Sequence, residues 1–101
     1  MTEAGGSGQT VDVQRLIEYI AKSLVDDPQK VSVAMVEEPG ETVIELEVGP
    51  RDVGKVIGKQ GRTVRAMRSL LSAAGVRSRK RFELDIIEPE TAEEENRQSS
   101  Q

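Results

Sequence analysis

The residues best placed to do chemistry are cations, and they are gathered in one stretch. From Arg51 to Arg81 the chain carries Arg51, Lys55, Lys59, Arg62, Arg65, Arg68, Arg77, Arg79, Lys80 and Arg81 against the single carboxylate of Asp52, a segment charge of +9. The remainder of the 101 residues carries −13, which leaves the net charge of −4. A chain that is acidic as a whole thus holds one patch suited to a polyanion and repels polyanions elsewhere. Inside the patch, Val56-Ile57-Gly58-Lys59-Gln60-Gly61-Arg62-Thr63-Val64 places two glycines three apart between apolar residues. Glycines so spaced permit a tight bend with no side-chain wall, against which a sugar-phosphate chain can lie. A helix beginning near Arg62 would aim its first amides and the positive end of its dipole at the same place. Lys59 and Arg62 add charged donors for phosphate oxygens.

Most catalytic chemistry is excluded by what the chain lacks. It has no Cys and no His, so it can form no disulfide, thiolate metal site or imidazole acid/base pair. The paired carboxylates Asp26-Asp27 and Glu93-Glu94-Glu95 fall at a helix stop and in a polar tail, poor settings for general acid/base work. Gly54, Gly58 and Lys59 approach a nucleotide-binding loop, but Gln60 stands where Ser or Thr would hold magnesium, and no strand leads directly into the glycines. A binding protein without enzyme activity, cofactor or metal is expected. With one Phe, one Tyr and no Trp, stacking of bases on aromatic rings can contribute little. No apolar run reaches the roughly 20 residues of a membrane span, and MTEAGGSGQT lacks the apolar core of a secretory signal. The expected location is the cytoplasm, without membrane insertion.

The elements that must position the cations follow from periodicity. Residues 1–10 read as a flexible arm and 89–101 as a disordered acidic tail, leaving a domain over 11–88. Val13, Leu16, Ile17, Ile20, Ala21 and Leu24 form one helical stripe, capped by Thr10 or Asp12 and stopped at Asp26-Asp27-Pro28. Val31, Val33 and Met35 alternate as a strand, Glu38-Pro39-Gly40-Glu41 turns, and Ile44, Leu46 and Val48 alternate as a second strand with Glu45 and Glu47 on its other face. Asp52 is placed to cap a short helix through Ile57. After the glycines a longer helix carries Val64, Met67, Leu70, Leu71 and Ala74 on one face, with Gly75 as its C-terminal cap and a basic loop from Val76 to Lys80. Phe82, Leu84 and Ile86 alternate with Glu83 and Asp85 as a third strand. The second and third strands, joined through helices, should be parallel neighbours. All helices then cover one face, because the carboxylates line the other.

At Ile57-Gly58-Lys59-Gln60-Gly61-Arg62-Thr63-Val64 the chain resembles the KH family of RNA-binding domains, whose hallmark is I-G-x-x-G-x-x-[I/V/L]. The element order is similar to the type II, mainly prokaryotic, arrangement: an α+β fold, helix-strand-strand-helix-helix-strand, with a three-stranded mixed sheet and helices on one face. The stretches Leu16–Pro28 and Gly54–Arg62 resemble the KhpA family of small bacterial single-KH proteins, over about residues 12–88; the Gly-rich arm and acidic tail depart from that pattern. The resemblance implies binding of single-stranded RNA and self-association as a homodimer, pairing with a larger KhpB/Jag-type protein, or both. It also implies a role as an RNA chaperone or post-transcriptional regulator in cell elongation and envelope homeostasis. Carried over to these positions, Gly58, Lys59, Gln60 and Gly61 would clamp about four nucleotides. Lys55, Arg62 and Arg65 would flank that clamp. Val56, Ile57 and Val64 would floor it, core roles permitting, and Arg77, Arg79, Lys80 and Arg81 would line the opposite wall. The competing reading is a protein-protein adaptor that keeps the scaffold but binds little RNA, in which the same cations are a solvated surface.

Overall fold

The structure, a computed structural model, describes residues 5–88, with side chains from Val13 onward. The expected tail, 89–101, and the first four residues of the arm lie outside the described residues. Helix α1 (Gly5–Leu24) is followed by a 3-10 turn, the strands β1 (Ser32–Glu38) and β2 (Glu41–Glu47), a second 3-10 turn, and the short helix α2 (Val53–Ile57). A third 3-10 turn leads into α3 (Arg62–Ser78), and β3 (Phe82–Ile87) completes the order. The helix expected to start at Thr10 or Asp12 runs back to Gly5. Once the packed turns exist, each added residue gains a hydrogen bond without a new nucleation cost.

The sheet has the order β1-β2-β3. The hairpin is antiparallel, Val33 opposite Leu46 and Met35 opposite Ile44, and it turns at Pro39-Gly40, where Gly40 has φ +83°. Proline followed by glycine at positive φ is the chemistry of a type II turn. β2 and β3 run parallel, Ile44 beside Leu84 and Glu45 beside Asp85, as a strand returning through a helical crossover requires. Alternation puts Ile44, Leu46, Phe82 and Leu84 on one face, where they are buried with Val13, Ile17 and Ala21 of α1, Val56 of α2 and Val64, Met67 and Leu71 of α3. Glu45, Glu47, Glu83 and Asp85 lie on the face the helices leave open.

Each edge strand has a carbonyl covered by a helix side chain. Gln14 Nε2 donates to Val33 O of β1 at 2.8 Å, and Arg68 Nη2 donates to Leu84 O of β3 at 3.1 Å. These contacts fix the rotation of the two helices, and three core assignments are corrected: Leu24 at the end of α1 is 38% exposed, and the rotation accounts for the other two. Leu16 and Leu70 each sit one residue, about 100° of helix, from the fully buried Ile17 and Leu71, and they stay 40% and 49% exposed. Gln14 and Arg68 turn outward to the sheet edges, so Leu16 and Leu70 occupy the flanks on which α1 and α3 approach each other.

A second correction concerns the end of α3. Gly75 does not cap it; the helix continues to Ser78 and Arg79 adopts the left-handed conformation at φ 58°. The closing bonds run from Lys80 N–H to Gly75 O at 2.9 Å and from Arg79 N–H to Val76 O at 3.4 Å, the pattern of a Schellman motif. Gly75 is needed for a different reason. A Cβ there would strike the carbonyl oxygen of Lys80 and sit 3.6 Å from Phe82 Cδ2, so the returning chain passes directly over bare helix. Gly54, in α2, has open space in the same direction. Gly54→Ala is therefore expected to raise the unfolding free energy by about 0.5–1 kcal/mol through helix propensity. Gly75→Ala is expected to lower it, because displaced backbone costs about 1–3 kcal/mol. Urea unfolding of both variants checks the opposite signs.

Candidate nucleic-acid interface

The central bend is built on three left-handed or otherwise glycine-favouring conformations within four residues. Gly58 has φ 82°, Gln60 φ 57° and Gly61 φ 74°. Gly58 N–H closes α2 onto Gly54 O at 2.8 Å, and Gly61 N–H bonds Gly58 O at 3.0 Å. Gly58 admits no side chain at all, since a Cβ would run into the Thr63 Oγ1 and Cβ beneath it. Lys59 and Gln60 are exposed at the tip. α3 then starts with no side chain capping its first amides, so those donors and the positive end of a 17-residue helix face the bend.

Two cations hold the bend in shape. Arg65 Nη2 donates to the carbonyl of Gln60 at 2.9 Å, and Arg62 Nη2 donates to Gln60 Oε1 at 3.3 Å. Each uses one donor of a five-donor guanidinium, so both still project charge beside the tip. A left-handed conformation costs a side-chain-bearing residue about 1–2 kcal/mol. Among the described residues the non-glycine positions with positive φ are Gln60 and Arg79, one at the tip of the bend and one at the far end of α3. Strain of this kind persists where surrounding structure holds it.

Between α3 and the free edge of β3 runs a groove of about 530 Å3. Arg68, Ser72 and Val76 line it from the helix, Arg79 and Arg81 from the connecting turn, and Phe82, Leu84 and the carboxylate of Glu83 from the strand. Arg68, pinned to Leu84 O, lies at +3 from Arg65, so the two share one face of α3. Sequence reasoning left Arg68 outside the site; its spacing from Arg65 was the available signal.

The remaining expected site residues are distributed differently. Val56 is fully buried and Val64 nearly so, so both act as core rather than floor; Ile57 is half-buried. Arg77 belongs to α3 and not to a loop, and it stands nine residues from Arg68, half a helical turn away in angle. Arg81 Nε is 3.3 Å from Glu83 Oε2 and 3.8 Å from Glu41 Oε1. Lys80 is exposed beside the groove. Lys55 is bound up with carboxylates, its Nζ 3.4 Å from Asp26 and 3.6 Å from Asp52.

Asp52 does not cap α2 with its side chain. It is 2% exposed, and its carboxylate accepts the amides of Asp26 at 3.3 Å and Asp27 at 3.1 Å. It thereby ties the end of α1 to the start of α2, the helix that delivers the bend. Burial alone would raise its pKa; the two amides and the Lys55 ammonium outweigh burial and bring it below the ordinary 3.8. A carboxyl whose folded pKa is depressed stabilises the fold above its unfolded pKa and loses that contribution as pH falls through the folded value. Asp52→Asn is expected to be less stable than the parent at pH 7, with the gap closing below about pH 4. Thermal melts across that range check it, and a gap independent of pH contradicts the assignment.

A three-stranded mixed sheet covered on one face by helices, with the glycine bend between α2 and α3, is a KH domain of type II. Comparison with known proteins gives the family. The family model for the KhpA/KhpB KH domain matches residues 14–86. Among curated relatives, "RNA-binding protein KhpA" of Clostridium acetobutylicum is 48% identical over 75 residues, 74% of this chain and all of the relative. The proteins of that name from Halalkalibacterium halodurans and Aquifex aeolicus are 47% identical over 76 residues and 49% over 73, spanning 75% and 72% of this chain and 100% and 92% of the relatives. No solved structure matches. The chain belongs to the KhpA/KhpB KH-domain family.

Proposed function

We propose that this protein binds single-stranded RNA without catalysis. The backbone of about four nucleotides passes over the Gly58–Gly61 bend, and the strand continues along the groove between α3 and β3. The observation that carries the reading is the exposed, cation-flanked bend set against the uncapped start of α3. The name of the relatives supports it. In this reading Lys59 and the guanidinium groups of Arg62 and Arg65 meet phosphates, while Arg68 and Arg79 attend the groove. The open sheet face, with Glu45, Glu47 and Asp85, stays away from the RNA, while Glu83 lies at the groove paired with Arg81. Arg79 then explains its strain, since it keeps a cation at a position where glycine would fit with less cost.

Without aromatic platforms, affinity depends on phosphate contacts and therefore on salt. Replacing Lys59 and Gln60 together with Asp is expected to weaken binding of a fluorescein-labelled single-stranded RNA at least tenfold with the melting temperature unchanged. For the parent, four phosphate contacts imply a slope of about −3 in log affinity against log salt. An adaptor that uses the scaffold for proteins alone would show neither binding nor slope, and an unchanged affinity in the double variant would overturn the site.

We further propose that the chain self-associates, or pairs with a KhpB/Jag-type KH protein, through the flank where α1 and α3 meet. Leu16 and Leu70 remain exposed there, with Ala66 and Ala73 beside Leu70 on α3. A second binding unit would compensate by avidity for a weak single domain. Leu70→Glu is expected to convert a dimer to a monomer in sedimentation velocity; a parent that is monomeric at tens of micromolar rules out the homodimer. The remaining part of the proposal, RNA chaperoning or post-transcriptional control in the cytoplasm affecting cell elongation and envelope homeostasis, is supported by family membership. Among the described residues no helix is long and apolar enough to cross a membrane.

A further inference from the structure

At the start of α2 lies a cavity of about 440 Å3 that shares no residue with the groove between α3 and β3. Asp26 and Asp27 line it from the end of α1, Lys30 from the turn that follows, and Gly49, Pro50 and Arg51 from the chain entering α2. We infer that this cavity takes the base of a guanine in the RNA strand, beside the nucleotides clamped at the Gly58–Gly61 bend. The inference rests on the RNA-binding reading above.

Two opposite charges border the cavity without satisfying each other. The side chain of Arg51 is exposed and has no hydrogen bond or ion pair among the described residues. The carboxylate of Asp27 stands 3.7 Å from Lys30 Nζ, beyond hydrogen-bond reach. Its backbone is nonetheless fixed, because the Asp27 amide donates at 3.1 Å to the buried carboxylate of Asp52. Lys30 runs so close along Gly49 that a Cβ there would stand 3.1 Å from Lys30 Cδ. A methylene stem, a bare backbone and the ring of Pro50 thus supply apolar walls. The volume lies within the range of about 300–1,000 Å3 that small-molecule sites occupy. Apolar walls, a fixed acceptor and a free donor suit a planar ring that carries donors on one edge and acceptors on another.

The carboxylate selects the base. An ionised Asp accepts through two neighbouring oxygens and cannot donate. Guanine offers it two adjacent donors, N1–H and the N2 amino group. Adenine and cytosine set an acceptor beside their amino group, and uracil flanks its one N–H with two carbonyls. Guanine alone meets Asp27 with two donors and no repulsion, and its O6 and N7 are the acceptor pair a guanidinium fork reads. Position ties the cavity to the strand. Arg51, Lys55 and Lys59 recur every four residues up to the tip of the bend. Lys55 Nζ stands 3.4 Å from Oδ2 of Asp26 at the cavity, and Lys55 precedes Gly58 by one helical turn. The five residues of α2 rise about 8 Å, a distance that a strand covers within about two nucleotides.

The full chain is titrated against a labelled uridine-only RNA and against sets in which a single guanosine or adenosine is moved through every position. At one position guanosine is expected to bind at least about fivefold more tightly than uridine or adenosine. In Asp27→Asn that ratio is expected to fall to about one, because the side-chain amide offers one acceptor and one donor in place of two acceptors. A merely structural loss would weaken all the strands alike and keep the ratio. RNA binding by the parent with no preference for guanosine overturns the inference, as does a ratio retained in both Asp27→Asn and Arg51→Gln. Titration with guanosine monophosphate, followed by the amide NMR shifts of Asp27, Gly49, Arg51 and Asp52, tests the cavity without a strand. Shifts with this nucleotide and none with adenosine monophosphate support the site. The same shifts without any preference among the RNAs assign the cavity to a free nucleotide and overturn the strand form. If no RNA binds, the RNA reading fails, and the monophosphate titration alone decides whether the cavity takes guanine, an absence of shifts then overturning the inference.

Discussion

The parallel pairing of β2 with β3 is the constraint on which the molecule depends. Antiparallel neighbours can be joined by a two-residue turn, as Pro39-Gly40 joins β1 to β2, but parallel neighbours oblige the chain to travel back the full length of the sheet. Here α2, the glycine bend and α3 make that journey. The reversal has to occur beyond the C-terminal ends of the strands, where it is exposed, and the returning helix has to start there. An exposed bend and a helix N-terminus are thus brought together by topology. The residues in the bend turn that meeting into a site.

What holds the bend open is a set of contacts from below and beside it. Thr63 fills the space a side chain on Gly58 would need, Arg65 binds the carbonyl of Gln60, and Asp52 fastens the start of α2 to the end of α1. The left-handed conformation of Gln60 is maintained by these partners and leaves its side chain at the tip. The same logic applies at Arg79, where a Schellman closure and the close passage of Lys80 over Gly75 fix a strained cation at the mouth of the groove. In both places local conformational energy is given up at a position that carries a polar or charged head.

Charge is separated by the same topology. The strands alternate, so Glu45, Glu47 and Asp85 lie on the face without helices, Glu83 sits at the groove paired with Arg81, and the cations of α3 lie on the other side of the sheet. Net charge therefore says little about partners for this chain. A value of −4 conceals two surfaces of opposite sign, and each surface makes the other more selective in what it admits.

The amino-acid sequence by itself determined the element order, the hairpin, the parallel third strand, the acidic open face and the position of the bend. Each follows from a short-range rule: period 2 or 3.6, proline and glycine at turns, the crossover requirement. Tertiary structure decided which residues those elements spend on the core and which on the surface. Leu16 and Leu70 fit the helical stripes as well as Ile17 and Leu71 do, and only the rotation set by Gln14 on Val33 and Arg68 on Leu84 leaves them outside. Gly75 looks like a helix end because glycine usually is one, yet a backbone from five residues later requires its bare Cα. Asp52 has the spacing of a cap, but the amides it serves belong to Asp26 and Asp27, more than twenty residues away. Lys55 is likewise drawn to Asp26 and Asp52, and Val56 to the core. Such choices depend on contacts between segments distant in the chain, and no local pattern encodes them.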